Sequence, residues 1–184
     1  MLFYLAPMEG ITGYIVRNAY AHYFPYIDKY FTPFIPAAKK MSKKIKRDLA
    51  AENNEQIRLV PQLIGNRADE FLMMIRQLED LGFTSVNLNF GCPSGTVVSK
   101  RKGAGFLEEP EELEMLLEEV LENSPLAVSV KTRVGIKDPD EWEALCTAYA
   151  KFPLEELIIH PRLQKDYYSG TPRMETFARA LEQI

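Results

Sequence analysis

Short apolar runs alternate along this chain with longer segments in which apolar residues recur every three or four positions. Leu2 to Ala6 reads as a strand closed by Pro7, and Tyr26 to Phe34 as a second, ended by Pro33 and Pro36. Ile57 to Ile64 is a third, interrupted at Pro61-Gln62. Ser85 to Phe90, Leu126 to Thr132 and Leu157 to His160 complete six. Between them the spacing predicts helices. Tyr14 to Phe24 carries an uneven apolar face of Tyr14, Val16, Ala19 and Tyr20. A helix capped by Asn66 stacks Phe71, Met74, Ile75, Leu78 and Leu81 and stops at Gly82. The next has Pro110 in its first turn, buries Leu113, Leu116, Leu117, Val120 and Leu121, and breaks at Pro125. Asp138 reads as an N-cap with Pro139 at the first helical position, leading into Trp142, Leu145, Cys146 and Tyr149. Thr171-Pro172 opens a last helix through Phe177 and Leu181, and Ser94 to Gly105 reads as a loop.

Strands that are apolar throughout and alternate with helices form parallel sheets buried on both faces. No Gly-x-Gly-x-x-Gly follows the first strand, which argues against a dinucleotide-binding doubly wound sheet. No phosphate-binding Gly-x-x-x-x-Gly-Lys-Ser/Thr loop occurs either. The remaining solution is a (β/α) TIM-type barrel. At 184 residues the chain forms a single domain, with room for about six of that fold's eight strand–helix units.

Composition narrows the function classes. A net charge of −4 gives no general attraction to nucleic acid, so any such contact must be local. The one basic cluster, Lys39 to Arg47, reads either as a solvated helix face or as a contact for a phosphate backbone. Two cysteines, Cys92 and Cys146, make no disulfide framework, which fits a reduced, cytoplasmic setting. The opening Met-Leu-Phe-Tyr-Leu-Ala run is too short for a signal peptide or a membrane span, so no membrane partner is expected.

In a barrel, function collects at the C-terminal ends of the strands. Those ends read Pro7-Met8-Glu9, then Gln62, then Asn87, Asn89 and Cys92, then Lys131 and Arg133, then His160 and Arg162. Alone, each has a plain structural explanation, and a lone Cys92 at a strand end most often packs. Together they supply one polar group per strand end, as a shared pocket requires. The set holds no carboxylate pair for hydrolysis, no metal cluster and no Ser-His-Asp arrangement. Amides, a lysine and a histidine suit a flat, electron-accepting heterocycle, with a fixed cation against its reduced form. Cys92 could serve as nucleophile or proton donor. With a free thiol pKa of about 8.5 it is mostly protonated at neutral pH, which suits a general acid.

Several segments resemble one family along essentially the whole chain. Leu-Ala-Pro-Met-Glu-Gly-Ile-Thr (5–12), Pro-Gln-Leu-Ile-Gly (61–65), Asn-Leu-Asn-Phe-Gly-Cys-Pro (87–93), Val-Lys-Thr-Arg-Val-Gly (130–135) and His-Pro-Arg (160–162) with Tyr168-Ser169-Gly170 resemble the tRNA-dihydrouridine synthases. The resemblance implies an FMN-dependent barrel that reduces the C5–C6 bond of selected tRNA uridines with NADPH. It implies Pro7, Met8 and Glu9 against the flavin ring, largely through backbone. It implies Gln62 at the ring edge, Lys131 near the side that is anionic when reduced, and His160 also in contact. Asn89 would position flavin and uracil, Arg162 would line the same pocket, and Cys92 would give a proton to C5. Because a duplex uridine is out of reach, the target base must be presented unstacked.

The family barrel has eight strands, phosphate-binding loops after the last two, and a helical RNA-binding domain beyond. Six units are legible here. The expectation is therefore an incomplete barrel, inactive alone: a fragment, a truncated product, or one part of an assembly completed by another chain. Two alternatives stand beside it. One is a small-molecule flavin oxidoreductase of the dihydroorotate or dihydropyrimidine dehydrogenase type, and the other is a non-catalytic remnant that binds RNA or a partner chain.

Overall fold

Every strand pairing is parallel. In the computed structural model, which describes residues 1–183, β1 (Tyr4–Leu5) pairs with β2 (Lys29–Phe31), and β2 with β4 (Leu59–Val60). Beside them, β3 (Ile35–Pro36), β5 (Gln62–Ile64), β6 (Ser85–Phe90), β7 (Ala127–Arg133) and β8 (Leu157–His160) follow in that order. The third strand is interrupted at Pro61 as expected, whereas the second is shorter than expected and resumes beyond Pro33 as β3; neither proline has an amide hydrogen for a ladder. Thr32 bridges the gap, its hydroxyl accepting the Gln62 amide at 2.9 Å. Counted as six staves, the array is the predicted partial TIM-type barrel.

The helices are α1 (Tyr14–Tyr23), α2 (Lys43–Leu49), α3 (Ala68–Glu79), α4 (Gly95–Val98), α5 (Pro110–Asn123), α6 (Glu141–Ala150) and α7 (Met174–Gln183). Of these, α3 packs on α5, α5 on α6 and α6 on α7. The period-2 pleat of β6 decides what goes where. Val86, Leu88 and Phe90 join the apolar core with Phe71, Met74, Ile75 and Leu78 of α3. Each of these buried side chains contributes about 1.5–3 kcal/mol. The alternate residues Asn87 and Asn89 are also buried but bond to neighbouring strands instead. Asn87 accepts from Gln62 Nε2 at 2.7 Å and donates to Ser129 Oγ at 2.9 Å. The strands are therefore not apolar on both faces, and their second face carries a hydrogen-bonded polar layer.

Several local expectations need correction. The face of α1 buries Arg17 rather than an apolar stripe. Its guanidinium donates to Thr12 O, Asp48 O, Asp48 Oδ2 and Asn54 Oδ1. Arg67, not Asn66, is the N-cap of α3, while the Asn66 amide donates to Lys100 O. Leu81, beyond the end of α3, is exposed. Asp138-Pro139 forms a turn in which Asp138 O accepts the Glu141 amide, so α6 opens only after Asp140. The segment after Ser94 is not a plain loop, since it contains α4 and a 3-10 turn over Gly103–Glu108. The last helix opens at Met174, and Leu181 points to solvent.

At the opposite end from the candidate pocket, Glu156 joins the first and last staves. Tyr4 Oη donates to Glu156 Oε1 at 2.6 Å, and the buried Lys29 ammonium reaches the same oxygen at 2.7 Å. The Glu156 carboxylate raises the Tyr4 hydroxyl pKa to about 12.

Candidate active site

Strands β5 to β8 and the turn after β1 converge on a cavity of about 610 Å³. Pro7, Met8 and Glu9 line it from one side, and Gln62, Asn89, Cys92, Lys131 and His160 from the others. Eight of the nine residues expected at the site are therefore together. The exception is Arg162, which lies behind His160, its Nη1 2.9 Å from His160 Nε2 and its other nitrogens on Ser169 O and Gly170 O. A guanidinium only donates, so His160 Nε2 accepts and its proton resides on Nδ1. Burial, with the charges of Arg133, Lys131 and Arg162, lowers the His160 pKa to about 4, and the ring is neutral at pH 7.

The corner that carries Cys92 is held by five hydrogen bonds to its backbone. Asn89 Oδ1 accepts the amides of Gly91 at 3.0 Å and Cys92 at 2.9 Å, while Asn89 Nδ2 donates to Gln62 Oε1 at 2.7 Å. Arg133 Nε donates to Gly91 O at 2.9 Å. Cys92 O accepts from the Ala104 amide at 3.0 Å, and Pro93 O from Gln164 Nε2 at 3.1 Å. Gly103 packs beneath with φ of +55°, and a Cβ there would sit 2.8 Å from Cys92 O. Only glycine fits this close approach.

Asn89 and Gln62 thus spend most of their hydrogen-bonding capacity on the protein itself. One Nδ2 hydrogen of Asn89 and one Nε2 hydrogen of Gln62 remain for a ligand. Met8 likewise turns its backbone inward. Its amide donates to Thr12 Oγ1 at 2.8 Å and its carbonyl accepts from Ile11, Thr12 and the Thr12 hydroxyl. Its thioether side chain, rather than its backbone, is exposed at the cavity.

A family model described as dihydrouridine synthase matches residues 4–181. The chain belongs to the dihydrouridine synthase family. It is 31% identical over 168 residues to a "Probable tRNA-dihydrouridine synthase" of Staphylococcus epidermidis, covering 89% of this chain and 51% of that protein. It is 30% identical to "Probable tRNA-dihydrouridine synthase 2" of Bacillus subtilis, over 89% and 51% of the two chains. A Staphylococcus aureus "Probable tRNA-dihydrouridine synthase" is 29% identical, over 89% and 50%. The chain spans about half the length of these curated relatives.

The electrostatics of the cavity are cationic. Lys131 is partly buried and makes no ion pair among the described residues. Burial and the Arg133 charge lower its pKa. Burial raises the Cys92 thiol, as does Glu9, whereas the Ser94 amide, Arg133 and Lys131 act the other way. The net direction is upward, so Cys92 carries its proton at neutral pH.

Arg133, Tyr167, Tyr168 and Phe34 also line the cavity. Arg133 is two residues beyond Lys131 on one strand, hence on the same face, and that spacing was a sufficient signal. Tyr168 stacks over the Arg133 guanidinium at 5.5 Å. Its position depends on a tertiary turn, in which Tyr167 adopts φ of +51°; Tyr168 stood out in the sequence only through the family resemblance of Tyr168-Ser169-Gly170, not through periodicity. No helix among the described residues is long and apolar enough to cross a membrane, and no group of His, Cys, Asp and Glu is arranged to hold a metal ion.

Proposed function

We propose that the protein takes part in the reduction of uridine to 5,6-dihydrouridine in tRNA, using FMN with NADPH as reductant. The observation that carries this reading is the convergence of Gln62, Asn89, Cys92, Lys131 and His160, from four different strands, on one cavity in a dihydrouridine synthase chain. The cavity fits the cofactor's chemistry. Its volume lies within the range of about 300–1,000 Å³ usual for small-molecule sites. Carboxamide hydrogens and a neutral imidazole offer polar contacts to a ring edge, and the unpaired Lys131 ammonium suits a ring that is anionic when reduced.

In this reading residues 1–184 act as one FMN-binding barrel domain. Pro7, the Met8 side chain and Glu9 would bound the cofactor, and Gln62, Asn89, Lys131 and His160 would hold it. Arg162 contributes by fixing the His160 tautomer. FMN, when bound and reduced, supplies the hydride for C6 of the uracil. Cys92 gives its Sγ proton to C5, completing the addition of two hydrogens across the C5–C6 bond. Lys131 and Arg133 stabilise the thiolate left behind, which regains its proton from solvent. Both cysteines are free thiols, as a cytoplasmic setting requires.

Titration of FMN into the purified protein, followed by flavin absorbance, tests the cofactor. NADPH-dependent reduction of a tRNA transcript, compared with uracil and orotate, tests the substrate. Cys92→Ala is expected to keep FMN binding and lose uridine reduction by at least about 100-fold, the lower end of general-acid contributions. Failure to bind FMN, or reduction of the free pyrimidines but not the tRNA, overturns the reading.

A further inference from the structure

A second cavity, of about 560 Å³, lies beside the first, between α1 and α2. The two share Glu9 and Phe34 as a common wall. Its apolar lining includes Tyr14, Ile15 and Ile45, and its rim carries Lys44 and Arg47. Ile15 is 69% exposed, an open apolar surface at the mouth.

The charge on this side is unusual for the molecule. Lys39, Lys40, Lys43, Lys44, Lys46 and Arg47 are all exposed, and none makes an ion pair among the described residues. Elsewhere, Arg58, Arg67, Arg101 and Lys151 each have a carboxylate partner, and the exposed cations without one among the described residues, Arg76, Lys100, Lys137, Lys165 and Arg179, are scattered along the chain rather than clustered. The acid within the segment, Asp48, is spent inside the fold. Its Oδ2 pairs with the fully buried Arg17 at 3.0 Å, and its Oδ1 accepts the Tyr14 amide at 2.7 Å. The same bonds bolt α2 to α1, so the groove is preformed. Glu9, on the common wall, makes no ion pair among the described residues and would repel an anion toward the α2 side.

We propose that this groove is a second RNA subsite, taking the nucleoside next to the reacting uridine while Lys44 and Arg47 contact the adjoining phosphates. The inference rests on the reading of the first cavity as a uridine site. An apolar, partly aromatic slot flanked by unpaired cations suits a single strand, whose bases stack and whose backbone is anionic. Continuity with the reaction cavity fixes the order, one base in each. Neighbouring bases are then held apart across Glu9 and Phe34, which also unstacks the target.

The test is fluorescence anisotropy of fluorescein-labelled hexauridylate on the whole chain over a series of salt concentrations. Lys44→Gln/Arg47→Gln is expected to weaken binding and to flatten the slope of log affinity against log salt by about 1.4, from two lost phosphate contacts at ~0.7 each. Tyr14→Ala is expected to weaken binding about tenfold with the slope unchanged. FMN binding should be unaffected in both. Wild-type affinity and slope in the double variant overturn the proposal and leave the uridine-reductase reading standing. A loss confined to the double variant, with Tyr14→Ala unaffected, overturns the groove as a base site. No hexauridylate binding by the unmodified protein overturns the subsite, while the uridine-reductase reading is decided by FMN titration and tRNA reduction. RNA binding through α2 without FMN binding removes the reductase and, with it, the assignment of the groove to the neighbour of a reacting uridine.

Discussion

The amide of Cys92 donates to Asn89 Oδ1 at 2.9 Å, so the residue that holds the thiol-bearing corner in place is three positions before it on the same strand end. Asn89 also takes the Gly91 amide and donates to Gln62. It therefore acts on the thiol through the backbone. Asn89→Ala strands two amides and the Gln62 carbonyl oxygen in a buried site. Unpaired buried groups cost about 1–3 kcal/mol each, and partial solvation of the corner brings the expected loss to about 2–3 kcal/mol by urea unfolding. Uridine reduction should fall further than FMN affinity; an equal fall in both would assign Asn89 to cofactor binding instead.

Gly103 makes a similar argument from the other side of the thiol. Its φ of +55°, and the 2.8 Å that would separate a Cβ at this position from Cys92 O, leave no room for a side chain. Gly103→Ala is expected to cost about 1–3 kcal/mol and to displace the Cys92 corner. Alkylation reports the displacement directly, because Cys92 is half-buried and Cys146 fully buried. An unchanged alkylation rate and unchanged stability would mean the corner is not held by this contact.

The spacing of apolar residues was enough to reveal the barrel architecture, because β6 to β8 and α3, α5 and α6 each carry their own periodicity. The interruption at Pro61 was legible as well, but not that the chain resumes as a strand beyond Pro33, nor that a side-chain hydroxyl, Thr32, replaces a ladder bond between segments thirty residues apart. Nor could it show that Arg17 is buried, since the partners that make this tolerable, Asp48 and Asn54, come from a different helix and turn. At the candidate site, strand-end position was legible for Gln62, Cys92, Lys131 and His160. The division of labour was not. Whether a carboxamide faces a ligand or a neighbouring strand depends on register, and register places Asn89 beside Lys131 and Gln62 beside Asn87.

Lys131 and Arg133 both pull the Cys92 pKa down against the larger upward push of burial. Removing the cation at Lys131 leaves burial less opposed, so Lys131→Gln is expected to move the thiol pKa further up. The pH profile of Cys92 alkylation should shift to higher pH in the variant. A profile that stays in place, or moves down, would show that the Lys131 charge is screened from the thiol. The same variant should lose FMN affinity if Lys131 faces the reduced ring.

His160 sets an acid limit on stability. Its pKa is 6.5 in an unfolded chain and about 4 in the folded protein. Between these values the unfolded state binds a proton that the folded state does not. Stability therefore falls as pH drops from about 6.5, and this contribution levels off below about 4. Above 6.5 the ring is neutral in both states and the effect vanishes. His160→Gln, which can still accept from Arg162, should remove this part of the slope while carboxylate titration remains. Urea unfolding of both proteins at neutral and mildly acidic pH measures the difference. Parallel slopes would mean that a protonated His160 is accommodated beside Arg162, and that the neutral ring is not what the site requires.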